Sequence, residues 1–165
     1  MKTIQVAILM GSDSDYSVMQ KAEDIFEEFG IPYDTRVLSA HRTPKQTVQF
    51  VSSAVKRGAK VFIGGAGGAA HLPGVIAAHT ELPVIGVPIL GKSTNGLDSL
   101  LSIVQMPPGV PVATVSIDGA KNAALLAVQI LSVSEKGLKQ KLIRFRKKME
   151  KEVLKKDRNL SRSKK

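Results

Sequence analysis

Short apolar runs alternate with longer segments whose apolar residues recur at helical spacing throughout the first 131 residues. This alternation is typical of a parallel β-sheet covered by helices on both faces. The apolar runs predict five strands, at 4–10, 32–38, 60–63, 83–87 and 112–117. The amphipathic segments predict a first helix that follows residues 11–15 and ends at Gly30, and further helices at 44–57, 73–78, 97–104 and 121–131. A single doubly wound α/β domain accounts for this order of elements.

The second helix has the best defined start in the sequence. Residues 43–46, with the sequence TPKQ, match a capping box that has Pro44 at the first helical position. We therefore expect the side chain of Thr43 to cap this helix.

The C-terminal part of the chain predicts one extra helix. Between residues 134 and 156, apolar residues recur at helical spacing with basic neighbours, at Leu138, Leu142, Phe145, Met149 and Val153. This stripe is expected either to pack on its own domain or to dock on a neighbouring subunit. We assign 1–133 to a catalytic α/β domain, 134–156 to a C-terminal helix of the same domain, and 157–165 to a disordered basic tail.

The positive charge of the chain is concentrated at its C-terminal end. The formal net charge is +10, but 14 Lys and Arg and only 3 Asp and Glu lie from Lys136 onward. The preceding 135 residues hold 10 basic and 11 acidic groups and are nearly neutral. Nucleic-acid binding through the basic segment is a remote alternative function, because its one aromatic residue, Phe145, fits the apolar stripe better than a base-stacking platform. We expect these cations to form a solvated face and expect no nucleic-acid partner.

The chain contains no cysteine, which excludes disulfide scaffolds, thiolate metal sites and cysteine nucleophiles. The N-terminal apolar run is too short to span a bilayer and lacks a signal-type cleavage pattern. We therefore expect a cytoplasmic protein without a membrane partner.

Three polar or glycine-rich loops, 11–15, 39–44 and 64–73, follow predicted strands. In open parallel sheets, ligands bind outside the carboxyl ends of the strands, so these loops predict a site for a small phosphorylated metabolite. The first loop places Ser12, Ser14 and Asp15 at a helix start, where free amides and the helix dipole favour an anion. The alternative is purely local, with Ser14 capping the helix and its acidic neighbours complementing the dipole.

The second loop brings an imidazole and a guanidinium to a helix N-terminus, since it contains Ser39, His41 and Arg42. Arg42 is suited to bind phosphate in a bidentate manner, and His41 is suited to move protons near neutral pH. This combination favours chemistry on an anionic substrate.

The third loop is rich in glycine and formally matches a dinucleotide-binding fingerprint. We reject that interpretation because the next strand ends in Val87 and Pro88 rather than in an acidic residue that would hold a ribose. Two interpretations stay open: close approach of backbone to a ligand with His71 at the rim, or tight packing of a helix on the sheet.

Other ligand classes lack the residues they need. A flavin site is disfavoured because the chain has no Trp and only two Tyr. A phosphoacceptor site is disfavoured because glycine follows the third strand where an Asp is required. His and carboxylate residues show no convincing metal-ligand spacing, although His71 and His79 are eight residues apart and could share a helix face.

Segments 10–15 (MGSDSD), 39–44 (SAHRTP) and 65–74 (GAGGAAHLPG) closely resemble the bacterial N5-carboxyaminoimidazole ribonucleotide mutase family, the PurE-type, class I enzymes of purine synthesis. Segments 98–107 and 122–127 extend the resemblance, which covers about residues 4–133. It implies a flavodoxin-like three-layer domain that moves a carboxyl group from the exocyclic nitrogen to carbon 4 of an aminoimidazole ribonucleotide. It implies neither cofactor nor metal, and a homo-octamer whose sites combine residues from neighbouring subunits.

The resemblance also implies roles for individual residues. His41 matches the proton-transfer group, and His71 is a second proton or positioning group. The substrate-binding positions are Ser12, Asp15 and Arg42, with Ser14 and Ser39 helping to hold the phosphate and Gly67, Gly68 and Ala69 lining the carboxylate and CO2 pocket. A related branch carboxylates aminoimidazole ribonucleotide with free CO2, and it is the nearest alternative function.

Overall fold

The computed structural model describes residues 3–162, which contain five strands and six α-helices. The strands are β1 (Val6–Met10), β2 (Tyr33–Val37), β3 (Val61–Ala66), β4 (Val84–Pro88) and β5 (Ala113–Thr114). The helices are α1 (Tyr16–Phe29), α2 (Pro44–Lys56), α3 (Leu72–Ala77), α4 (Leu97–Val104), α5 (Ala120–Ser132) and α6 (Lys136–Arg162). No helix in this described part of the chain is both long enough and apolar enough to cross a membrane.

All five strands are parallel and lie in the order β2-β1-β3-β4-β5. This is the strand order of flavodoxin-like doubly wound sheets, so the predicted fold class is confirmed. Every residue of β1, β3 and β4 is buried, as expected of strands that are covered on both faces. The chain reverses its direction of winding between β1 and β3, which creates a crevice at their carboxyl ends.

Helix α1 buries one apolar face, formed by Met19, Ala22, Ile25, Phe26 and Phe29. It ends at Gly30, whose φ of 68° lies in the left-handed region that glycine adopts without steric cost. The predicted helix and its end are confirmed.

The capping box predicted at the start of α2 is wrong, although Pro44 does occupy the first turn. The side chain of Thr43 makes no capping hydrogen bond to the helix. Its Oγ1 accepts a hydrogen bond from the Ser39 amide at 2.8 Å and donates to the Ser39 carbonyl at 3.1 Å. The hydroxyl is therefore used to close the loop that precedes the helix.

Strand β3 runs to Ala66, three residues beyond its predicted end, and takes in the first two glycines of the third loop. A Cβ at Gly65 would collide with the Met19 side chain, and one at Gly64 would lie 3.2 Å from Pro73. These glycines allow helices to pack closely on the sheet. Strand β5 is shorter than predicted, because only Ala113 and Thr114 pair with β4.

The chain divides into two compact units, one ending at Ala127 and the other beginning at Val128. The division of the chain at residue 133 into a catalytic domain and its C-terminal helix stays a prediction. Helix α6, in the second unit, continues to Arg162, so the prediction of disorder from 157 is corrected for residues 157–162. The remaining predicted tail, 163–165, lies outside the described residues. The helix continues because Leu160, seven residues after Val153, extends the apolar stripe by two turns among good helix formers.

Candidate active site

The loops that follow β1, β2 and β3 converge on a cavity of about 410 Å³. Its lining consists of Gly11, Ser12, Ser14, Asp15, Ser39, Ala40, His41, Arg42, Ala66, Gly67, Ala69, His71 and Leu72. Nine of the ten residues that we singled out from the sequence lie in this lining, and only Gly68 does not. The cavity occupies the crevice that the strand order creates at the carboxyl ends of β1 and β3.

Two histidines from different loops meet in the cavity. His41 Nε2 lies 2.8 Å from His71 Nδ1, and the two rings are nearly perpendicular, at 79°. Both side chains are solvent-accessible, so a proton can enter or leave the pair. The pair has the geometry of a proton-transfer site.

The loop that carries His41 is held by hydrogen bonds to Ser39. The Thr43 amide donates to the Ser39 carbonyl at 2.9 Å, and the Arg42 amide donates to Ser39 Oγ at 3.2 Å. These contacts form a tight turn that presents His41 and Arg42 at its tip. His71 is placed independently, because it is the residue that precedes the first turn of α3.

Arg42 bridges two of the loops. Its Nη2 donates a 2.7 Å hydrogen bond to the Gly11 carbonyl, which connects the loop after β2 to the loop after β1. The side chain is exposed and retains other donors for an anion. Arg42 therefore connects two loops, and it is also a candidate residue for binding an anion.

Ser12 and Ser14 form a small hydroxyl cluster at the start of a 3₁₀ turn that leads into α1. Ser12 Oγ accepts a hydrogen bond from the Ser14 amide at 3.3 Å, and the Ser14 hydroxyl lies 2.9 Å from Ser12 Oγ. Ser12 is therefore the capping residue, and the alternative in which Ser14 caps the helix is wrong. The Ser14 side chain is exposed in the cavity, where it is available to a ligand.

Asp15 is the one buried carboxylate in the cavity lining, with 8% of its surface exposed. Burial raises the pKa of this carboxyl above its ordinary value of 3.8, while a hydrogen bond from Ser14 and the charge of Arg42 act in the opposite direction. The Ser14 hydroxyl lies 3.3 Å from Asp15 Oδ1. A buried, partly satisfied carboxylate is well suited to accept hydrogen bonds from ligand hydroxyls.

The glycine-rich loop supports the packing interpretation at its start, and close approach of its backbone to a ligand stays a prediction. Gly64 and Gly65 allow helices to pack on the sheet, whereas Gly67 and Ala69 line the cavity. Gly68 has a φ of 60° and turns the chain between them without lining the cavity. A Cβ at Gly67 would make only ordinary contacts, at 3.6 Å from Ile89.

Four lining residues were not singled out from the sequence: Gly11, Ala40, Ala66 and Leu72. Each is adjacent to a residue that was singled out or to the end of a strand, and three are apolar with no reactive group. A position at a strand end was the one available signal, and it applies to Gly11 and Ala66 but not to Ala40 and Leu72. Ala66 and Leu72 are buried and add an apolar wall to the polar cavity.

No group of three or more His, Cys, Asp or Glu that could hold a metal ion occurs within residues 3–162. His79, which the sequence suggested might share a face with His71, follows α3, and its Nδ1 lies 2.8 Å from the Val75 carbonyl oxygen. It is not among the residues that line the cavity.

The family model for AIR carboxylase matches residues 5–152, which include all three loops of the cavity. The chain belongs to the AIR carboxylase family. A protein of Pyrococcus horikoshii named N5-carboxyaminoimidazole ribonucleotide mutase is 59% identical over 94% of this chain and 88% of its own length. The Bacillus subtilis protein of the same name is 59% identical over 83% of this chain and 86% of its own length.

Solved structures of the AIR carboxylase family have the same fold. The crystal structure of Treponema denticola PurE superposes with a TM-score of 0.86 at 31% identity, covering 94% of this chain and 98% of that one. Since similar proteins occur in archaea as well as bacteria, the bacterial part of the resemblance is not confirmed. The family region ends ten residues before the end of α6.

Proposed function

We propose that this member of the AIR carboxylase family is a mutase that converts N5-carboxyaminoimidazole ribonucleotide to 4-carboxy-5-aminoimidazole ribonucleotide in de novo purine biosynthesis. The observation that carries the proposal is the contact between His41 and His71 in a cavity that also holds an arginine, three serines and a buried carboxylate. Relatives that are 53–60% identical and named as this mutase support it.

The substrate is placed by matching its groups to the cavity. Its phosphate binds Arg42 and the hydroxyls of Ser12, Ser14 and Ser39, since guanidinium and hydroxyl donors suit phosphate oxygens. The ribose hydroxyls donate to Asp15, which accepts rather than donates hydrogen bonds when ionised. The imidazole ring then lies between this anchored end and the two histidines.

The reaction needs one proton to be given and one to be collected. The bond between the exocyclic nitrogen and the carboxyl carbon breaks, CO2 departs, and its bonding electrons stay on the nitrogen, which takes a proton from His41. Carbon 4 then attacks CO2 and releases its own proton to His41, which restores the starting state. Protons balance over the cycle, and neither an oxidant nor ATP is consumed.

CO2 must remain in the cavity between the two steps. Gly67 and Ala69 line the cavity next to the apolar Ala66 and Leu72, and Gly68 turns the loop between them. Glycines allow the backbone to approach CO2 closely, and free amides stabilise the carboxylate from which it forms. His71 acts on His41, whose ring it contacts, by orienting it and exchanging a proton with it.

An ultraviolet assay with freshly prepared N5-carboxyaminoimidazole ribonucleotide, without ATP or added metal, tests the proposed reaction. The same enzyme is assayed in parallel with aminoimidazole ribonucleotide plus bicarbonate. Fast product formation from the carboxylated substrate alone supports the mutase. Product formed only from aminoimidazole ribonucleotide plus bicarbonate would assign the carboxylase reaction instead, and inactivity with both would remove the proposal.

The enzyme acts in the cytoplasm as a homo-octamer in which a neighbouring subunit covers the apolar stripe of α6. This stripe is open to solvent in the single chain, since Met149, Val153 and Leu160 are 51%, 63% and 61% exposed. Three such residues on one helix face favour a partner surface. Size-exclusion chromatography with light scattering tests the assembly: an octamer is expected for the full chain and a smaller species for Val153→Asp, whereas a stable monomer at micromolar concentration would contradict it.

A further inference from the structure

Helix α6 carries six cations along a single face. At 3.6 residues per turn, they project within about 100° of arc around the helix axis. They are Arg144, Lys147, Lys148, Lys151, Lys155 and Arg158, and all six are exposed. We call these residues the basic face.

The basic face has one acid at its edge. Glu152 projects about 40° beyond the arc and borders the same surface depression as Arg144, Lys147, Lys148, Lys151 and Lys155. Glu150 and Asp157 project farther from the face. None of the six cations forms an ion pair with a carboxylate in residues 3–162. Like charges four residues apart repel, and the face contains three such pairs, for example Lys147 with Lys151. Binding of a polyanion would therefore reduce the electrostatic repulsion among the cations of the basic face.

We propose that the basic face of α6 binds duplex nucleic acid through its phosphate backbone, without reading base sequence. From Arg144 to Arg158 the face is about 21 Å long at 1.5 Å per residue. A duplex presents about one negative charge per 1.7 Å of its axis, so this length meets more phosphates than it has cations. An α-helix also fits the width of a major groove.

A membrane surface fits the helix less well. A helix that lies on an anionic membrane buries its apolar stripe, and the cations beside that stripe reach the headgroups. Here the centre of the basic face is about 150° from the stripe formed by residues such as Leu142, Met149 and Val153. The charge beside the stripe is mixed, since Glu152 and Lys141 flank it on one side and Arg146, Asp157 and Glu150 on the other.

Single-stranded nucleic acid is disfavoured by the composition of the same face. Proteins that bind single strands stack bases on aromatic side chains. The aromatic residue of α6 is Phe145, which projects with the apolar stripe and not with the basic face. Guanidinium and ammonium groups alone are sufficient for contacts with a duplex backbone.

The nucleic-acid site is independent of the mutase proposal, because it uses no residue of the cavity. Two of its cations, Lys155 and Arg158, lie beyond the region 5–152 that matches the family. The predicted helix 134–156 already contained five of the six cations, which we expected to form a solvated face. The helix observed to Arg162 adds Arg158 in the same direction.

Fluorescence anisotropy with a labelled, mixed-sequence DNA duplex of about 20 base pairs tests the proposal on the full chain, between about 50 and 200 mM salt. The wild type is expected to bind with a Kd of about 10⁻⁶–10⁻⁴ M, with affinity that falls steeply as salt rises. Replacing three cations of the basic face by glutamine (Lys147→Gln, Lys151→Gln and Lys155→Gln) should lower the affinity at least tenfold. It should also reduce the slope of log K against log salt by about 2.7, since each phosphate contact contributes about 0.9.

A matched control removes the same charge elsewhere, with Lys21→Gln, Lys139→Gln and Arg146→Gln. The control should keep the wild-type slope, both variants should keep mutase activity, and circular dichroism should report unchanged helix content. Absence of duplex binding at the lowest salt, or equal losses in both variants, would overturn the proposal. Binding to phosphatidylserine-rich vesicles but not to the duplex would overturn it as well, in favour of a membrane surface.

Discussion

His41 Nε2 and His71 Nδ1 are 2.8 Å apart, although the two residues belong to loops that follow different strands. A hydrogen bond between two imidazoles requires one nitrogen to carry the proton and the other to accept it. The contact therefore orients the His41 ring before substrate binds and couples its tautomer to that of His71. Strands β1 and β3 are neighbours in the sheet, and this brings the loop of His71 to the cavity.

Replacing His71 by alanine should separate positioning from proton transfer. We expect His71→Ala to lower kcat by about 10- to 100-fold with little change in KM, because a misplaced catalytic group loses rate while the phosphate anchor remains intact. The pH profile of kcat should change as well, since the pair no longer shares a proton. Steady-state kinetics across the pH range measures both effects, and an unchanged kcat and pH profile would exclude a role for His71.

The position of the site could be predicted from sequence because it depends on strand ends. Polar residues directly after an apolar run must lie at the carboxyl edge of a parallel sheet, whatever the details of the loop. This argument brought Ser12, Arg42 and His71 to one cavity correctly. It could not give the contact between His41 and His71, since that distance depends on which strands are neighbours.

Replacing Asp15 by asparagine should stabilise the fold at neutral pH and weaken substrate binding. Burial raises the pKa of Asp15 above its ordinary value of 3.8, so the folded protein holds this proton more tightly than the unfolded chain does. The stability that protonated Asp15 contributes is therefore fully present at pH values below 3.8. It is lost as the pH rises through the pKa that Asp15 has in the folded protein. At neutral pH, Asp15→Asn should therefore melt at a higher temperature than the wild type, and the difference should vanish as the pH is lowered below 3.8.

The same variant should bind substrate more weakly. Loss of a charged acceptor for the ribose hydroxyls is expected to raise KM by about 10- to 100-fold, because hydrogen bonds to charged groups contribute roughly 1.5–3 kcal/mol. Thermal melts over the pH range, combined with kinetics at neutral pH, measure both effects. A variant that is less stable than the wild type at neutral pH would contradict the cause assigned to the pKa shift.

Replacing Arg42 by lysine keeps the charge and removes the planar, forked set of donors. The Nη2 bond to the Gly11 carbonyl and bidentate phosphate binding require a guanidinium, so Arg42→Lys should raise KM by about 10- to 100-fold with a smaller effect on kcat. Arg36→Lys is the matched control, because Arg36 lies on β2 over the Phe50 ring and outside the cavity lining. Equal kinetics for Arg42→Lys and the wild type would contradict the phosphate assignment.

Replacing Gly86 by alanine should affect the fold rather than the chemistry. Its Cβ would collide with Ile103 and lie 2.9 Å from Val112, two β-branched side chains with little freedom to move. We expect Gly86→Ala to lower the free energy of unfolding by about 1–3 kcal/mol, as overpacking does. Gly67→Ala is the control and should be nearly neutral in denaturant unfolding, since its Cβ makes only ordinary contacts; equal destabilisation of both variants would contradict this packing argument.

Two errors in the sequence-based predictions have a common physical origin. The capping box at 43–46 and the end of the C-terminal helix were both inferred from local sequence. The Thr43 hydroxyl bonds to Ser39 instead, because closing that loop satisfies the Ser39 amide and carbonyl. Leu160 continues the apolar stripe of α6 two turns after Val153, beyond the window in which charge indicated disorder.

The rate of His41→Asn with N5-carboxyaminoimidazole ribonucleotide tests the assignment of the active site most directly. Asparagine keeps a polar group of similar size but cannot exchange a proton, so turnover should fall by about 10²–10⁴-fold while the fold and the binding of substrate are retained. Circular dichroism and a ligand-induced rise in Tm provide the check on folding and binding. A folded, substrate-binding variant with near wild-type turnover would contradict the role of His41 and the mechanism built on it.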